Sequence, residues 1–175
     1  FLESELGKDV LSVAVLCNNA FLNEPVENSE KIEDGNGDGG TDGHEPSGTG
    51  DPLEVALLAT AKKIGIDRSD LIHDAPEIRE EAFDSDIKMM ATYHRRENEI
   101  YVAVKGAPEA VLAACTSYRD DRDVCELDDV TKRTWEERNI GLAGDGFRIL
   151  AVAEKSVQDA TAAPYENLSL LGYIV

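Results

Sequence analysis

An apolar run, Ile100-Tyr101-Val102-Ala103-Val104, ends in Lys105-Gly106-Ala107-Pro108-Glu109 and restarts as Ala110-Val111-Leu112-Ala113-Ala114. The first run is rich in β-branched and aromatic residues and reads as a strand. The second is rich in alanine and leucine and reads as a helix. Pro108 suits a first helical turn, where its missing N–H costs nothing, and Glu109 suits that turn's positive end. Lys105 therefore lies where a strand ends, and Gly106 lets a ligand approach the backbone without a Cβ in the way. A cation at a strand end, beside a glycine and a helix start, fits a phosphate or nucleotide contact. The alternative is an ordinary strand-to-helix turn with a solvated lysine.

The rest of the chain alternates in the same manner. Residues 3–22 place Leu6, Val10, Leu11, Val13, Ala14 and Leu16 on an amphipathic helix, with Cys17 as buried packing. Asp51 is a good N-cap and Pro52 a good first residue for a helix running to Lys63 near Gly65. Glu54 falls in its first turn, favourably placed at the positive end. A short helical turn is expected around Ser69–His73, then an extended segment from Pro76 closed by Phe83. Asp84-Ser85-Asp86 turns the chain, and strands are predicted over 88–94 and 100–104 as a hairpin. After a charged excursion from Tyr118 to Glu126 come a helix over 128–143, a strand over 148–153 and a last strand over 168–175. Helices mixed with hairpin-linked strands predict an α+β domain, a largely antiparallel β-sheet flanked by helices.

With 175 residues the chain suffices for one well-cored domain. We expect residues 1–175 to form that single domain, with a Gly/Asp-rich insertion at about 27–49. Seventeen basic residues stand against 36 acidic ones, a net charge of −19. This argues against a nucleic-acid surface, which needs clustered Lys and Arg. The same field repels a phosphate-bearing anion at long range, so a nucleotide pocket is expected to be locally basic. Three cysteines without a metal-ligand spacing read as free thiols in a reducing compartment. No apolar run is long enough to span a membrane. The opening on Phe1 and the apolar ending suggest an excised domain.

Inside the insertion, Asp34, Asn36, Asp38, Gly39 and Glu45 satisfy the spacing of an EF-hand calcium loop. No helix is expected to enter it, and Pro46 follows directly. An acidic calcium-binding or protein-interaction module using 34–45 is the alternative functional reading. No Ser/His/Asp or Cys/His constellation supports a self-contained enzyme, and no catalytic or metal-ligating residue is assigned.

Four segments in one order resemble a known family. Gly50-Asp51-Pro52-Leu53-Glu54 is similar to Gly-Asp-Pro-Thr-Glu, with Leu53 in place of Thr. Phe83-Asp84-Ser85-Asp86-Ile87-Lys88-Met89-Met90 is similar to Phe-(Asn/Asp)-Ser-x-x-Lys-x-Met. Lys105–Glu109 is a complete Lys-Gly-Ala-Pro-Glu, and Gly146–Ala151 is similar to Gly-x-Arg-x-Leu-Ala. The pattern resembles the nucleotide-binding (N) domain of P-type cation-transporting ATPases, in their calcium-pump-like branch. The resemblance implies that Phe83 stacks on adenine and that Glu54 accepts a hydrogen bond from its amino group. It implies that Lys88 lies along the triphosphate, that Lys105 and Gly106 line the deep side of the pocket, and that Arg148 reaches the phosphates. ATP, as Mg-ATP in the intact pump, is the implied ligand. The phosphorylation and actuator domains of the same parent chain are the implied partners. The fragment is then a monomeric cytoplasmic domain of an integral membrane protein, without direct membrane contact itself. The family's Asp-Lys-Thr-Gly-Thr motif is missing here. The chain is accordingly expected to bind ATP but to need an aspartate elsewhere for hydrolysis.

Overall fold

Successive side chains along Met89–Tyr93 turn to opposite faces of one strand, with an apolar core against each face, and that alternation organises the fold. Met89, Ala91 and Tyr93 enter one core; Met90 enters the other. The computed structural model describes residues 4–23 and 47–175. In chain order the elements are α1 (Glu5–Leu16), β1 (Phe21–Leu22), β2 (Gly48–Thr49), α2 (Pro52–Lys63), α3 (Arg68–Asp74), β3 (Glu77–Asp84), β4 (Met89–Arg96) and β5 (Glu99–Gly106). They continue as α4 (Pro108–Ala114), β6 (Cys115–Asp120), β7 (Asp123–Glu126), α5 (Asp129–Gly144), β8 (Leu150–Val157) and β9 (Leu168–Ile174).

Seven strands form one sheet in the order β3-β4-β5-β8-β9-β6-β7. Every pairing is antiparallel except β6 with β9. The predicted α+β class and largely antiparallel sheet are thus present. β1 and β2 form a separate two-stranded ladder. α1 and α2 cover one face, where Val10, Val13, Leu16 and Leu57 meet Met90, Ala103 and Val152. α4 covers the other, where Val111 and Leu112 meet Val102, Val104 and Ala153, and Trp135 of α5 packs at its margin. Two-sided coverage explains why the centre of β5, Ile100–Val104, reads as a continuous apolar run and why Met89–His94 of β4 are all buried.

Three local expectations need correction. The first helix stops at Leu16 rather than continuing to 22, because Asn18 redirects the chain. Its Nδ2 donates to the carbonyls of Ala14 and Glu54 (3.4 and 3.1 Å), and its Oδ1 accepts from Ala20 N at 2.8 Å. The charged excursion after Cys115 is a β-hairpin, β6–β7, at the sheet edge. Arg148 precedes β8, which begins at Leu150 where pairing with Ile174 starts.

Candidate nucleotide cavity

Gly50 starts the site. At φ 127° it adopts a conformation open to glycine, and a Cβ there would lie 2.7 Å from that of Ala20. The chain thus closes against the link after α1 before α2 begins. Asp51 caps α2, accepting from Leu53 N at 2.9 Å and Glu54 N at 3.4 Å, with Pro52 as its first residue. This fixes Glu54 in the first turn. Its Oε1 accepts from Lys105 Nζ at 2.6 Å, and its Oε2 from Asn19 N at 3.2 Å.

Lys105 is near the end of β5 and points to the α1–α2 face, as its register partners Met90 and Val152 do. It is 5% exposed, which is rare for lysine and tolerable because the ammonium is paired with Glu54. Phe83 reaches the same place through a bulge. Glu81 pairs with Ala91 and Asp84 with Met89, so Ala82 and Phe83 together oppose Met90 alone. The extra residue re-aims the side chain, and Phe83 stays 61% exposed. Arg148 arrives from the link between α5 and β8, after Gly146 turns the chain at φ 87°.

Glu54, Phe83, Lys105 and Arg148 line one cavity of about 360 Å³, floored by Leu57, Met90 and Leu150. Four of the six residues singled out from the sequence are therefore brought together from distant parts of the chain. Asn19, Asp51 and Leu53 complete the wall; of these, Asn19 is a contributor that sequence reasoning missed. A polar Asn-Asn pair directly after an amphipathic helix was the available signal. The wall carries Lys105 and Arg148 against Asp51 and Glu54, so it is formally neutral rather than locally basic as anticipated.

Lys88 and Gly106 lie beside the cavity and not among its lining residues. Lys88 occupies the turn before β4 at φ 58° rather than the strand itself, and its ammonium pairs with Glu109 at 3.0 Å. That turn is held by Asp84 Oδ1, which accepts from Asp86 N at 2.7 Å. The space left by the missing side chain of Gly106 is filled from within the fold. A Cβ there would meet the Lys88 carbonyl oxygen at 2.3 Å, and the same carbonyl accepts from Ala107 N at 3.0 Å. The glycine's close approach is thus to the neighbouring turn.

Cys17 lies near Lys105, and its Sγ donates to the Met90 carbonyl at 3.5 Å. Burial pushes its thiol up to about 12, against the opposing effect of the nearby Lys105 charge. Burial likewise holds Cys115 at about 12. Both are inert packing, as the sequence suggested. The calcium-loop spacing at 34–45 lies outside the described residues. Among those residues no helix is long and apolar enough to cross a membrane.

A family model described as "P-type ATPase, cytoplasmic domain N" matches residues 6–171. Calcium-transporting ATPase 1 of Lactococcus lactis is 36% identical over 127 residues, covering 70% of this chain and 14% of that protein. Calcium-transporting ATPase 1 of Bacillus cereus is 30% identical over 176 residues, covering 99% of this chain and 18% of that protein. Calcium-transporting ATPase 12, plasma membrane-type, of Arabidopsis thaliana is 31% identical over 136 residues, 75% of this chain and 13% of that protein. The chain spans less than a fifth of the length of each of these three relatives. The sheet with its flanking helices, the collinear motifs and the family match agree: this chain belongs to the cytoplasmic N-domain family of the P-type ATPases.

Proposed function

We propose that this domain binds ATP by its adenine ring and presents the γ-phosphate to a catalytic aspartate in a separate phosphorylation domain, within a calcium-pump-like cation transporter. The observation that carries this reading is the convergence of Phe83, Glu54, Lys105 and Arg148 on one cavity. The exposed Phe83 ring offers an aromatic face for a base, over an apolar floor. Glu54 keeps unused lone pairs beside its bonds to Lys105 and Asn19, and these accept the adenine amino group. Arg148 offers forked donors to phosphate oxygens. Lys88 joins the triphosphate by exchanging its exposed partner Glu109 for phosphate, a low-cost exchange for a surface ion pair.

The formal neutrality of the cavity matters to mechanism. In a chain of net charge −19, two bases balanced by two acids do little to attract a polyanion. Recognition falls on the ring, and the domain's catalytic contribution is positioning, an effective concentration of the γ-phosphate at its acceptor. In the intact pump the nucleotide brings Mg²⁺ with it, and the phosphorylation and actuator domains complete the machinery.

Titration of isotope-labelled domain with ATP, without magnesium, tests the proposal. Resonances of Phe83, Glu54, Lys105 and Arg148 shift together in a saturable manner. Saturable shifts confined to another surface would overturn it.

A further inference from the structure

We infer that Asn19 is a positioning residue for the nucleotide cavity, holding the strand that carries Phe83 against the helix that carries Glu54. The inference rests on the nucleotide reading above. Asn19 belongs to the link between α1 and β1, and its backbone is fixed from both sides. Its neighbour Asn18 is fully buried, with its amide bonded to Ala14, Ala20 and Glu54. From this anchored point Asn19 reaches two carboxylates. Its backbone N–H donates to Glu54 Oε2 at 3.2 Å, and its side-chain Nδ2 donates to Glu80 Oε1 at 2.7 Å.

Glu80 lies on β3, three residues before Phe83. Among the described residues β3 is an edge strand paired only with β4, and its ladder is broken by the bulge that aims Phe83. A bulged edge has fewer backbone bonds to hold its end. The Asn19–Glu80 bond ties that strand across the face to α1 and, through the same residue's backbone, to the Glu54 carboxylate. Two groups assigned to adenine are thereby set relative to each other by one residue that itself lines the cavity.

The test exchanges donor and acceptor. Asn19→Asp places two carboxylates face to face and weakens ATP affinity at least tenfold. Asn19→Ala loses one exposed hydrogen bond, an affinity loss of roughly three- to tenfold. Glu80→Gln, added to Asn19→Asp, restores the bond with its direction reversed and returns affinity to within about twofold of the parent. The backbone bond to Glu54 survives in every variant, and thermal midpoints, measured in parallel, stay within a few degrees of the parent's. The inference is overturned if the double variant binds no better than Asn19→Asp, or if Asn19→Ala binds as the parent does. Phe83→Ala separates the two claims. Loss of affinity there with indifference at position 19 removes only the role of Asn19. A parent domain without saturable ATP binding removes both.

Discussion

Lys105 Nζ lies 2.6 Å from Glu54 Oε1, which couples the buried end of a central strand to the first turn of a helix 51 positions earlier. The two side chains are 7% and 16% exposed. Removing one partner of such a pair strands the other charge away from water. Glu54→Ala is expected to destabilise the domain by about 3–5 kcal/mol in urea unfolding. Glu54→Gln retains an acceptor for the ammonium and loses less. A loss below about 1 kcal/mol for Glu54→Ala would show that water reaches the ammonium as it does in surface pairs.

Phe83 makes the opposite prediction. The residue is 61% exposed, so truncation removes little from the folded core. Phe83→Ala is expected to leave the urea midpoint nearly unchanged while weakening ATP binding by about 1–3 kcal/mol, the range for a base stacked on an aromatic ring. Phe83→Trp keeps a π-face and retains most of the affinity. Calorimetric titration of the three proteins decides it; equal affinities would remove the stacking role.

The contrast between these two residues shows how far a sequence carries. The strand around Lys105 was legible because Ile100–Val104 is apolar on both faces, as a strand covered by helices must be. Its carboxylate partner was named for another reason, since a pairing 51 residues apart leaves no local trace. The aim of Phe83 depends on a two-against-one pairing with Met90, a property of the neighbouring strand that no reading of 77–84 contains. The β6–β7 hairpin was missed because Tyr118–Glu126 is dominated by Arg, Asp and Glu at a sheet edge, where no apolar alternation is demanded. The sequence places Asn19 in the same helical stretch as Leu16; what takes it out of the helix is Asn18, whose buried amide fixes the link.

The neighbouring turn fills the space beside Gly106, and that close packing has its own test. A methyl group there would sit 2.3 Å from the Lys88 carbonyl oxygen and 2.9 Å from Met89 Cα, both backbone atoms that move only with the turn. Gly106→Ala is expected to destabilise the domain by about 1–3 kcal/mol, as overpacking does. ATP affinity of the folded fraction stays close to the parent's. Weakened affinity with unchanged stability would instead place a ligand in that space.

His94 gives the domain a predictable response to acid. The ring is fully buried on β4, with Nδ1 at 3.1 Å from the Ala75 carbonyl and Nε2 at 2.8 Å from Thr92 Oγ1. A neutral imidazole satisfies both partners, donating from Nδ1 to the carbonyl and accepting the Thr92 hydroxyl at Nε2. Burial lowers its pKa from 6.5 to about 4, opposed by the bond to Ala75 and assisted by the charges of Arg96 and Arg68. The folded value lies below the unfolded one, so between them the unfolded chain binds more protons. The stability due to neutral His94 is complete above about pH 6.5, declines as the pH falls towards 4, and loses no more below that. An NMR titration of the assigned imidazole should show a midpoint near 4, and urea unfolding should weaken from pH 7 to pH 4.5. A midpoint near 6.5 would mean that the ring charges without leaving water, contrary to the packing around it.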